Sequence, residues 1–534
     1  MALQKFHNPI IPGYSPDPSI CRVGKDFYLV NSTFEFFPGV PIYHSRNLVN
    51  WELIGHVLTR ESQLPLRGCM NSGGIFAPTI RFHDGKFWMI TTNVTDKGNF
   101  IVHTDGNNIL GEWSEPAWID HMGIDPSVFW DDDGKCYYCG TGFDENGQGI
   151  ILFELNPMTG EILSEKKAIS YGTVGKCPEG PHIYKKDGYY YLMIAEGGTE
   201  YGHCETMSRS KNIWGPYEAC PSDRGIILTH SGRAGQNSDI QCTGHADIVD
   251  SEDGNWYLVC LAIRKFSHAM LHNLGRETYL APVKWENGWP IVGKDGTVEL
   301  MPEMELPEKV EPQVRSVTVD FKKPLSKHVM FTRNPDMDDY VIEKKTLTLK
   351  GHGVSLNEAG ASPTIISLRQ PEFVSEFSVV LNLNKSKGSG MGISAYYNND
   401  YHYDLYVDFG EGKFGSAMNS VKLYKHIHDM GAVVKEIEFK HRSEKVKLTI
   451  RSDRKQYSFY CQVDDDEEVL VGSGSNAGLS TEGTMDMTFT GTLFSVFCEK
   501  GTAVFEEQIE LKAEPDDVLN GSEQKLNFEI KNEE

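Results

Sequence analysis

The sequence predicts an all-β protein, in which a five-bladed β-propeller is followed by a jelly-roll-like β-sandwich. Two observations lead to this fold. A short motif recurs five times in the first 300 residues, with a turn between two apolar strands in each copy, whereas the later strands lack the repeat. A chain of 534 residues also exceeds the size at which one hydrophobic core stops growing, so two domains are expected.

The repeat has a nearly constant register. Each copy reaches the aromatic residue of its second strand after 11 or 12 residues, and a hairpin signal such as HDGK or SEDGN separates the two strands. Successive copies start 48 to 66 residues apart, which is room for the four antiparallel strands of a blade. The copies read DPSI, APTI, DPSV, EGPHI and HADI, and they begin at Asp17, Ala77, Asp125, Glu179 and His245.

These first positions are expected to meet on one axis, because the first strand of each propeller blade lines the central channel. Three carboxylates and a histidine would then be gathered there, at a high cost unless they are used or paired. The alternative is that DP and EGP only begin turns. Turns alone would not require carboxylates at the same register in three blades.

The domains predicted from this pattern are a propeller over residues 1–300, a linker over 301–316 and a sandwich over 317–534 that packs on the propeller. The linker segment MPEMELPEKVEPQVRS is rich in Pro and Glu and lacks periodicity. Alternating strands such as SVTVDF, KVKLTIRS and AVFEEQIEL follow it.

Composition narrows the function classes. The net charge of −24 disfavours nucleic acid and anionic membrane as partners and suits a neutral substrate. No stretch is apolar for the roughly 18 residues that span a bilayer, and no signal peptide is visible. Eleven scattered cysteines favour a reducing compartment, so a cytoplasmic location is expected.

Three neighbouring carboxyl groups suit glycoside hydrolysis. One must be protonated near neutral pH to donate to the leaving oxygen, while a second, ionised group activates water or attacks carbon. The third raises the pKa of the donor by like-charge repulsion. A separation of roughly 6.5–9.5 Å between acid and base gives inversion, and about 5–5.5 Å gives retention.

Eight motifs are distributed along the chain: NPIIPGYSPDPSI, STFEFFPGVPIYHS, GGIFAPTI, IDPSVFWDDDG, EGPHIY, YYLMIAEGGTEYGHCETMSRS, GHADIV and LGRET. Together they resemble glycoside hydrolase family 43, the inverting β-xylosidases and α-L-arabinofuranosidases, over nearly the whole chain. The resemblance implies that Asp17 is the general base, Glu179 the general acid and Asp125 the residue that tunes and orients that acid. The resemblance also implies that the chemistry requires no cofactor.

The resemblance also implies the surroundings of the sugar. His245 is similar to a histidine on the axis beneath the sugar, which in several relatives approaches a calcium ion through water; a hydrogen-bonding core residue is the alternative. Arg276 resembles the arginine that binds the substrate, with a surface salt bridge as the alternative. Phe34 resembles an aromatic wall of the pocket, with a core aromatic as the alternative.

Two further aromatics concern specificity. Phe76 departs from the family pattern, because many β-xylosidases have Trp at this place in GGIWAP, and the smaller ring leaves the preference between xylose and arabinose open. Phe489, in FTGTLFSVF, is the candidate for an aromatic that the sandwich lends to the pocket rim; a plain core position is the alternative. The sandwich is otherwise a candidate carbohydrate-binding module.

The expected function is that of an exo-acting inverting hydrolase that releases terminal xylose from β-1,4-xylo-oligosaccharides, terminal α-L-arabinofuranose, or both. The alternatives are an enzyme acting mainly as an α-L-arabinofuranosidase on arabinoxylan or arabinan fragments, and a non-catalytic carbohydrate-binding propeller. Retaining sucrose and fructan hydrolases are disfavoured because YSPDPSI replaces their WMNDPNG-like segment. The expected partner is a xylo-oligosaccharide or arabinoxylo-oligosaccharide, and a homo-oligomer is left open.

Overall fold

The structure is a computed structural model that describes residues 3–232, 235, 238–266, 271–411, 417–440, 442–485 and 488–515. Over these residues it is built from β-strands and four 3-10 turns: Asp223–Gly225, Met337–Asp339, Asn476–Leu479 and Thr481–Gly483. No helix in the described part of the chain has the length and apolar character needed to cross a membrane. The part of the predicted sandwich beyond residue 515 lies outside the described residues.

Five antiparallel sheets of consecutive strands form the propeller, which confirms the five-bladed prediction. Strand β1 (Leu3–Lys5) comes first. Blade one has β2 (Ser19–Val23), β3 (Asp26–Val30), the separate short strand β4 (Phe36–Phe37) in a loop, β5 (Gly39–Ser45) and β6 (Glu52–Leu58). Blade two has β7 (Thr79–His83), β8 (Lys86–Asn93), β9 (Gly98–His103) and β10 (Ala117–Trp118).

The other three blades follow the same plan. Blade three has β11 (Ile124–Trp130), β12 (Cys136–Asp144), β13 (Gly147–Leu155) and β14 (Lys167–Ser170). Blade four has β15 (Glu179–Lys186), β16 (Tyr189–Glu196), β17 (Cys204–Ser210), β18 (Glu218–Ala219) and β19 (Ile226–Thr229), which also pairs with β17. Blade five has β20 (Ile240–Asp250), β21 (Trp256–Arg264), β22 (Glu277–Glu286) and β23 (Trp289–Val292).

Each repeat copy forms the innermost strand of its blade and a hairpin with the next strand, as predicted. Apolar side chains on facing blades close the gaps; Trp88 of blade two, for example, packs in one cluster with Val128 and Tyr138 of blade three. Blades one and five meet through the Ser19 hydroxyl, which donates to Asp247 at 2.7 Å. The ring is therefore closed by side chains of the inner strands.

The predicted linker is bound along the propeller. Its strand β24 (Glu303–Glu305) pairs with β1. Farther on, the Asn47 side chain donates to the carbonyl of Lys309, and the Gln313 side chain donates to the carbonyl of His7. The absence of periodicity in this segment thus reflects an extended chain that is held in place by its polar contacts.

The sandwich is one continuous hydrogen-bonded sheet that folds into two layers over a large apolar core. Its strands are β25 (Val317–Asp320), β26 (Phe331–Thr332), β27 (Tyr340–Glu343), β28 (Thr346–His352), β29 (Ile365–Arg369), β30 (Ser375–Asn382), β31 (Lys387–Asn398), β32 (Tyr401–Glu411), β33 (Ala417–Ile427), β34 (Met430–Lys440), β35 (Lys445–Ser452), β36 (Gln456–Val463), β37 (Val469–Ser475) and β38 (Leu493–Ala513); β26 pairs outside this sheet.

Strand β38 joins the two layers. Its first half pairs with β29 and β31, and its second half pairs with β25 and β30, while β28 pairs with it across the middle. The sandwich contacts the propeller through a two-stranded ladder between β26 and β4. Arg333 follows β26, is 1% exposed, and donates to the carbonyl of Cys69 in the propeller.

Candidate active site

The backbone at the inner end of the blades is specialised. Asp17, Asp125 and His245 have positive φ angles of 51°, 53° and 49°, a region that costs most L-residues free energy and is concentrated at functional sites. The β11, β15 and β20 ladders each shift register at this place. Such bulges re-aim side chains, so the five-fold repeat presents these groups toward the axis.

Asp17 is an ionised carboxylate in a closed polar pocket. It is 4% exposed; one oxygen accepts from Arg276 at 2.8 Å and the other from the Ser32 hydroxyl at 2.6 Å. Burial alone would raise the pKa of Asp17, but Arg276, His245 and Ser32 together lower it below its ordinary value. At neutral pH this group can accept a proton.

Glu179 has the opposite character. Burial, followed by the negative charge of Asp17, raises the pKa of Glu179 to about 7, against the weaker lowering effects of Arg276 and Lys176. Its neighbour Gly180 has a φ of +55°, and a Cβ there would lie 3.0 Å from the His245 ring. Only glycine fits comfortably at this approach. Glu179 can thus keep its proton close to neutral pH.

Asp125 lies within electrostatic reach of both other acids. Burial, Glu179 and Asp17 raise the pKa of Asp125 well above its ordinary value, although the Gly180 amide donates a hydrogen bond to its carboxyl group. Burial and proximity thus make Asp125 and Glu179 act as a pair that holds a proton at neutral pH. The same amide joins Asp125 to the backbone that carries Glu179.

His245 lies beside the base. Its Nδ1 lies 3.8 Å from an Asp17 oxygen. Burial lowers the pKa of His245; Asp17 opposes this change and Arg276 adds to it. Two residues farther along β20, Asp247 is fully buried but accepts from Arg81 and the Tyr184 hydroxyl, each at 2.7 Å. The Asp247 carboxylate is thus hydrogen-bonded within the propeller, and its role is structural.

Arg276 connects the base to the sandwich. Its guanidinium donates to Asp17, to the Thr199 hydroxyl at 3.2 Å and to the backbone carbonyl of Phe489 at 3.2 Å. It also lies 5.6 Å from the centre of the Phe34 ring and 5.3 Å from that of Phe489. The surface salt bridge considered from the sequence is wrong, because Arg276 is only 7% exposed.

The three predicted aromatics form one wall. Phe34 stacks on Phe489 with 5.5 Å between ring centres, and Phe76 meets both rings edge-on at 5.2 and 5.7 Å. Phe34 is almost fully buried, whereas Phe76 and Phe489 are partly exposed. The Phe489 amide donates to the Ser72 hydroxyl at 2.9 Å, so its backbone is fixed to the propeller.

The structure thus brings together all eight residues singled out from the sequence. Sequence reasoning missed Ser32 and Thr199, although both lie in the motifs STFEFFPG and EGGTEYGH. It also missed Ser72, Gly180 and the carbonyl of Phe489. Every residue has a backbone carbonyl and amide, so the sequence does not show which of them will form a contact. The contact of Ser72 joins residues that are 417 positions apart in the sequence.

Comparison with known proteins decides the family. The family model described as glycosyl hydrolases family 43 matches residues 6–290, which is more than half of the chain. The chain belongs to this family. A second model, described as a beta xylosidase C-terminal concanavalin A-like domain, matches residues 318–505. This family 43 protein is therefore a glycoside hydrolase whose chemistry needs no cofactor.

Its relatives include both kinds of pentosidase. It is 42% identical over 422 residues to a non-reducing end alpha-L-arabinofuranosidase of Bacteroides ovatus, covering 77% of this chain and 78% of the relative. It is 39% identical to a xylosidase/arabinosidase of Butyrivibrio fibrisolvens, covering 84% and 90%. The solved xylan beta-1,4-xylosidase of Bacillus halodurans superposes with a TM-score of 0.85 at 33% identity, covering 95% and 100%.

Proposed function

We propose that this glycoside hydrolase removes single pentose units from chain ends with inversion, using Asp17 as general base and Glu179 as general acid. One observation carries the proposal: within one buried cluster, the pKa of Asp17 is lowered while that of Glu179 is raised to about 7. Two carboxyl groups whose environments drive their pKa values apart are suited to opposite roles.

The reaction then proceeds in one displacement. Asp17 takes a proton from a water molecule as the water oxygen bonds to the anomeric carbon. The bond from that carbon to the leaving oxygen breaks, and Glu179 gives its proton to that oxygen. The products are a free sugar of inverted configuration and a shortened chain carrying a new hydroxyl group.

Asp125 supports the acid in this proposal. The charge of Glu179 raises the pKa of Asp125, so the pair holds a proton at neutral pH, and the hydrogen bond from the Gly180 amide ties Asp125 to the backbone that carries Glu179. Arg276 keeps the base ionised and, through Phe489, ties it to the aromatic wall. This wall closes one side of the pocket, which favours a terminal sugar over the middle of a polymer.

The substrate class proposed is β-1,4-xylo-oligosaccharides, arabinoxylo-oligosaccharides, or both. The two relatives named above support either sugar, since one is called an arabinofuranosidase and the other a xylosidase/arabinosidase. Phe76 is a smaller ring than the Trp that many β-xylosidases of the family have at this place, so its identity bears on the choice between xylose and arabinofuranose. Comparing kcat/KM on 4-nitrophenyl β-D-xyloside and α-L-arabinofuranoside, with Phe76→Trp as the paired variant, tests this preference.

Proton NMR of the anomer first released tests the mechanism. An inverted product is expected, and a retained product would remove Asp17 from the role of base. Glu179→Gln should abolish hydrolysis of natural linkages, while Glu154→Gln, which removes a carboxylate paired with the half-exposed Lys135, should leave it unchanged. A wild-type protein that binds these sugars without cleaving them would instead favour the non-catalytic propeller.

For the calcium ion that the resemblance makes possible on the axis, the described residues around His245 offer no cluster of side-chain ligands. Calcium takes about six to eight oxygen ligands, and no group of three or more His, Cys, Asp or Glu side chains placed to hold a metal occurs among the described residues. The nearby Asp17 oxygens are already engaged by Arg276 and Ser32. We therefore assign calcium no step in the reaction.

A cytoplasmic location is a further part of the proposal, and a homo-oligomer stays an open alternative. All eleven cysteines are free thiols, ten of them buried, which suits a reducing compartment. Fractionation of the source cells tests the location. Light scattering of the purified protein tests the oligomer, and a mass of 60.0 kDa would indicate a monomer.

A further inference from the structure

Four buried charges lie where the propeller, the connecting segment and the sandwich meet. The Arg264 guanidinium binds the Glu277 carboxylate through two nitrogens, at 2.7 and 2.8 Å, and donates through a third to Glu372. Arg315 lies 3.3 Å from the other Glu372 oxygen. None of the four is more than 6% exposed.

This network ends beside the proposed base. Glu277 follows Arg276 directly at the start of β22, where consecutive side chains point to opposite faces. Arg276 therefore reaches Asp17 while Glu277 reaches Arg264. One Glu277 oxygen also accepts from the amide of Gly13 at 2.7 Å, four residues before Asp17. A single carboxylate thus holds both chain segments whose side chains form the Asp17–Arg276 contact.

The sandwich also binds the segment from Gly13 to Asp17 directly. Arg369 donates through Nε to the carbonyl of Tyr14 at 2.6 Å. The amide of Ser15 in turn donates to the carbonyl of Arg276 at 2.9 Å. Buried ion networks are weak sources of net stability, because the cost of desolvation offsets most of the attraction, and they are better suited to fixing one geometry.

We propose that Glu372 of the sandwich is a positioning residue for the general base, acting through Arg264 and Glu277 to hold Arg276 against Asp17. This inference rests on the proposed function of Asp17. It gives the sandwich a role in the proton chemistry as well as in the pocket wall.

The test is the pH dependence of kcat/KM on an aryl pentoside for the wild-type protein, Glu372→Gln and Glu277→Gln. Loosening of the 2.8 Å contact between Arg276 and Asp17 to about 4 Å would raise the pKa of the base, so the acidic limb should move up by about one pH unit. The two substitutions should also be non-additive when combined, since they act on one network.

The sign of the shift separates positioning from direct electrostatics. Removal of a negative charge acts through space to lower the pKa of Asp17, which would move the acidic limb to lower pH. The matched control is Glu468→Gln, which breaks a bidentate pair with Arg451 within the sandwich and should leave the limb in place. Thermal unfolding of each variant shows that it is folded.

An acidic limb that stays in place or moves down in both folded variants overturns the inference and leaves the proposed function intact. A wild-type protein without hydrolysis overturns both. If Glu372→Gln does not fold, Arg315→Lys keeps the charge but loses the guanidinium contacts, and a smaller upward shift is expected. No shift in that variant also contradicts the inference.

Discussion

Replacing Arg276 by Gln should move both limbs of the pH profile of kcat/KM to higher pH. The guanidinium lies 2.8 Å from an Asp17 oxygen, and both side chains are less than 10% exposed. Glutamine keeps a hydrogen-bond donor of similar reach but removes the charge. The positive charge lowers the pKa of Asp17 and also that of Glu179, so its loss raises both values.

The size of the shift follows from the distance. At 2.8 Å and an effective dielectric constant of about 20, the attraction is about 6 kcal/mol before the desolvation of the pair is counted. An aspartate beside an arginine typically shows a net lowering of its pKa by roughly 1 to 3 units. Each unit lowers kcat/KM about tenfold on the acidic limb, where the ionised base is scarce.

The assay is kcat/KM on 4-nitrophenyl β-D-xyloside or α-L-arabinofuranoside across the pH range in which the protein stays folded. Arg276→Lys is the control, because it keeps the charge while losing the planar contacts with Phe34 and Phe489; its activity should fall with the limbs nearly unmoved. An acidic limb of Arg276→Gln that coincides with that of the wild-type protein would refute the assignment of Asp17 as a base tuned by Arg276.

Three further outcomes are expected. Glu179→Ala should lose about 10²- to 10⁴-fold in kcat on natural linkages but less on aryl glycosides, whose leaving groups need little protonation; equal losses would contradict the acid role. Phe489→Ala should raise KM several-fold, since a stacked ring contributes about 0.5–1.5 kcal/mol, but should keep the wild-type pH profile because its carbonyl still binds Arg276; a shifted profile would count against this. Dialysis against EDTA should leave the rate unchanged, and a loss restored by calcium would argue for a metal at His245.

The sequence predicts the part of the site that the repeat carries. Asp17, Asp125, Glu179 and His245 are found together because each occupies the same register in its blade, and an 11- or 12-residue spacing is visible in the letters. Phe489 is found only through the family resemblance. Neither the repeat nor the resemblance reveals that Asp17, Asp125 and His245 adopt positive φ. Aspartate and histidine tolerate this region, but their presence in a sequence does not predict it.

Contacts between distant segments are beyond such reasoning. Glu277 binds an amide 264 positions away and Arg264 binds a carboxylate 108 positions away. No local pattern distinguishes these two side chains from ordinary surface charges on a strand. The sequence likewise predicts only a linker after residue 300. The polar contacts that fix this segment on blade one, such as that from Asn47, leave no pattern in the sequence of the segment.

Strand β38 sets the order in which the enzyme is completed during synthesis. The blades consist of consecutive strands, so each can pair as soon as its own residues have left the ribosome. The sandwich strands β25, β28, β29, β30 and β31 all pair with β38, and their ladders therefore stay open until the matching parts of residues 493–513 are made. Phe489 lies just before this strand, so the wall of the pocket is set in place only after all five blades have been made, and a chain that stopped before Phe489 would carry the carboxylates without a finished binding site.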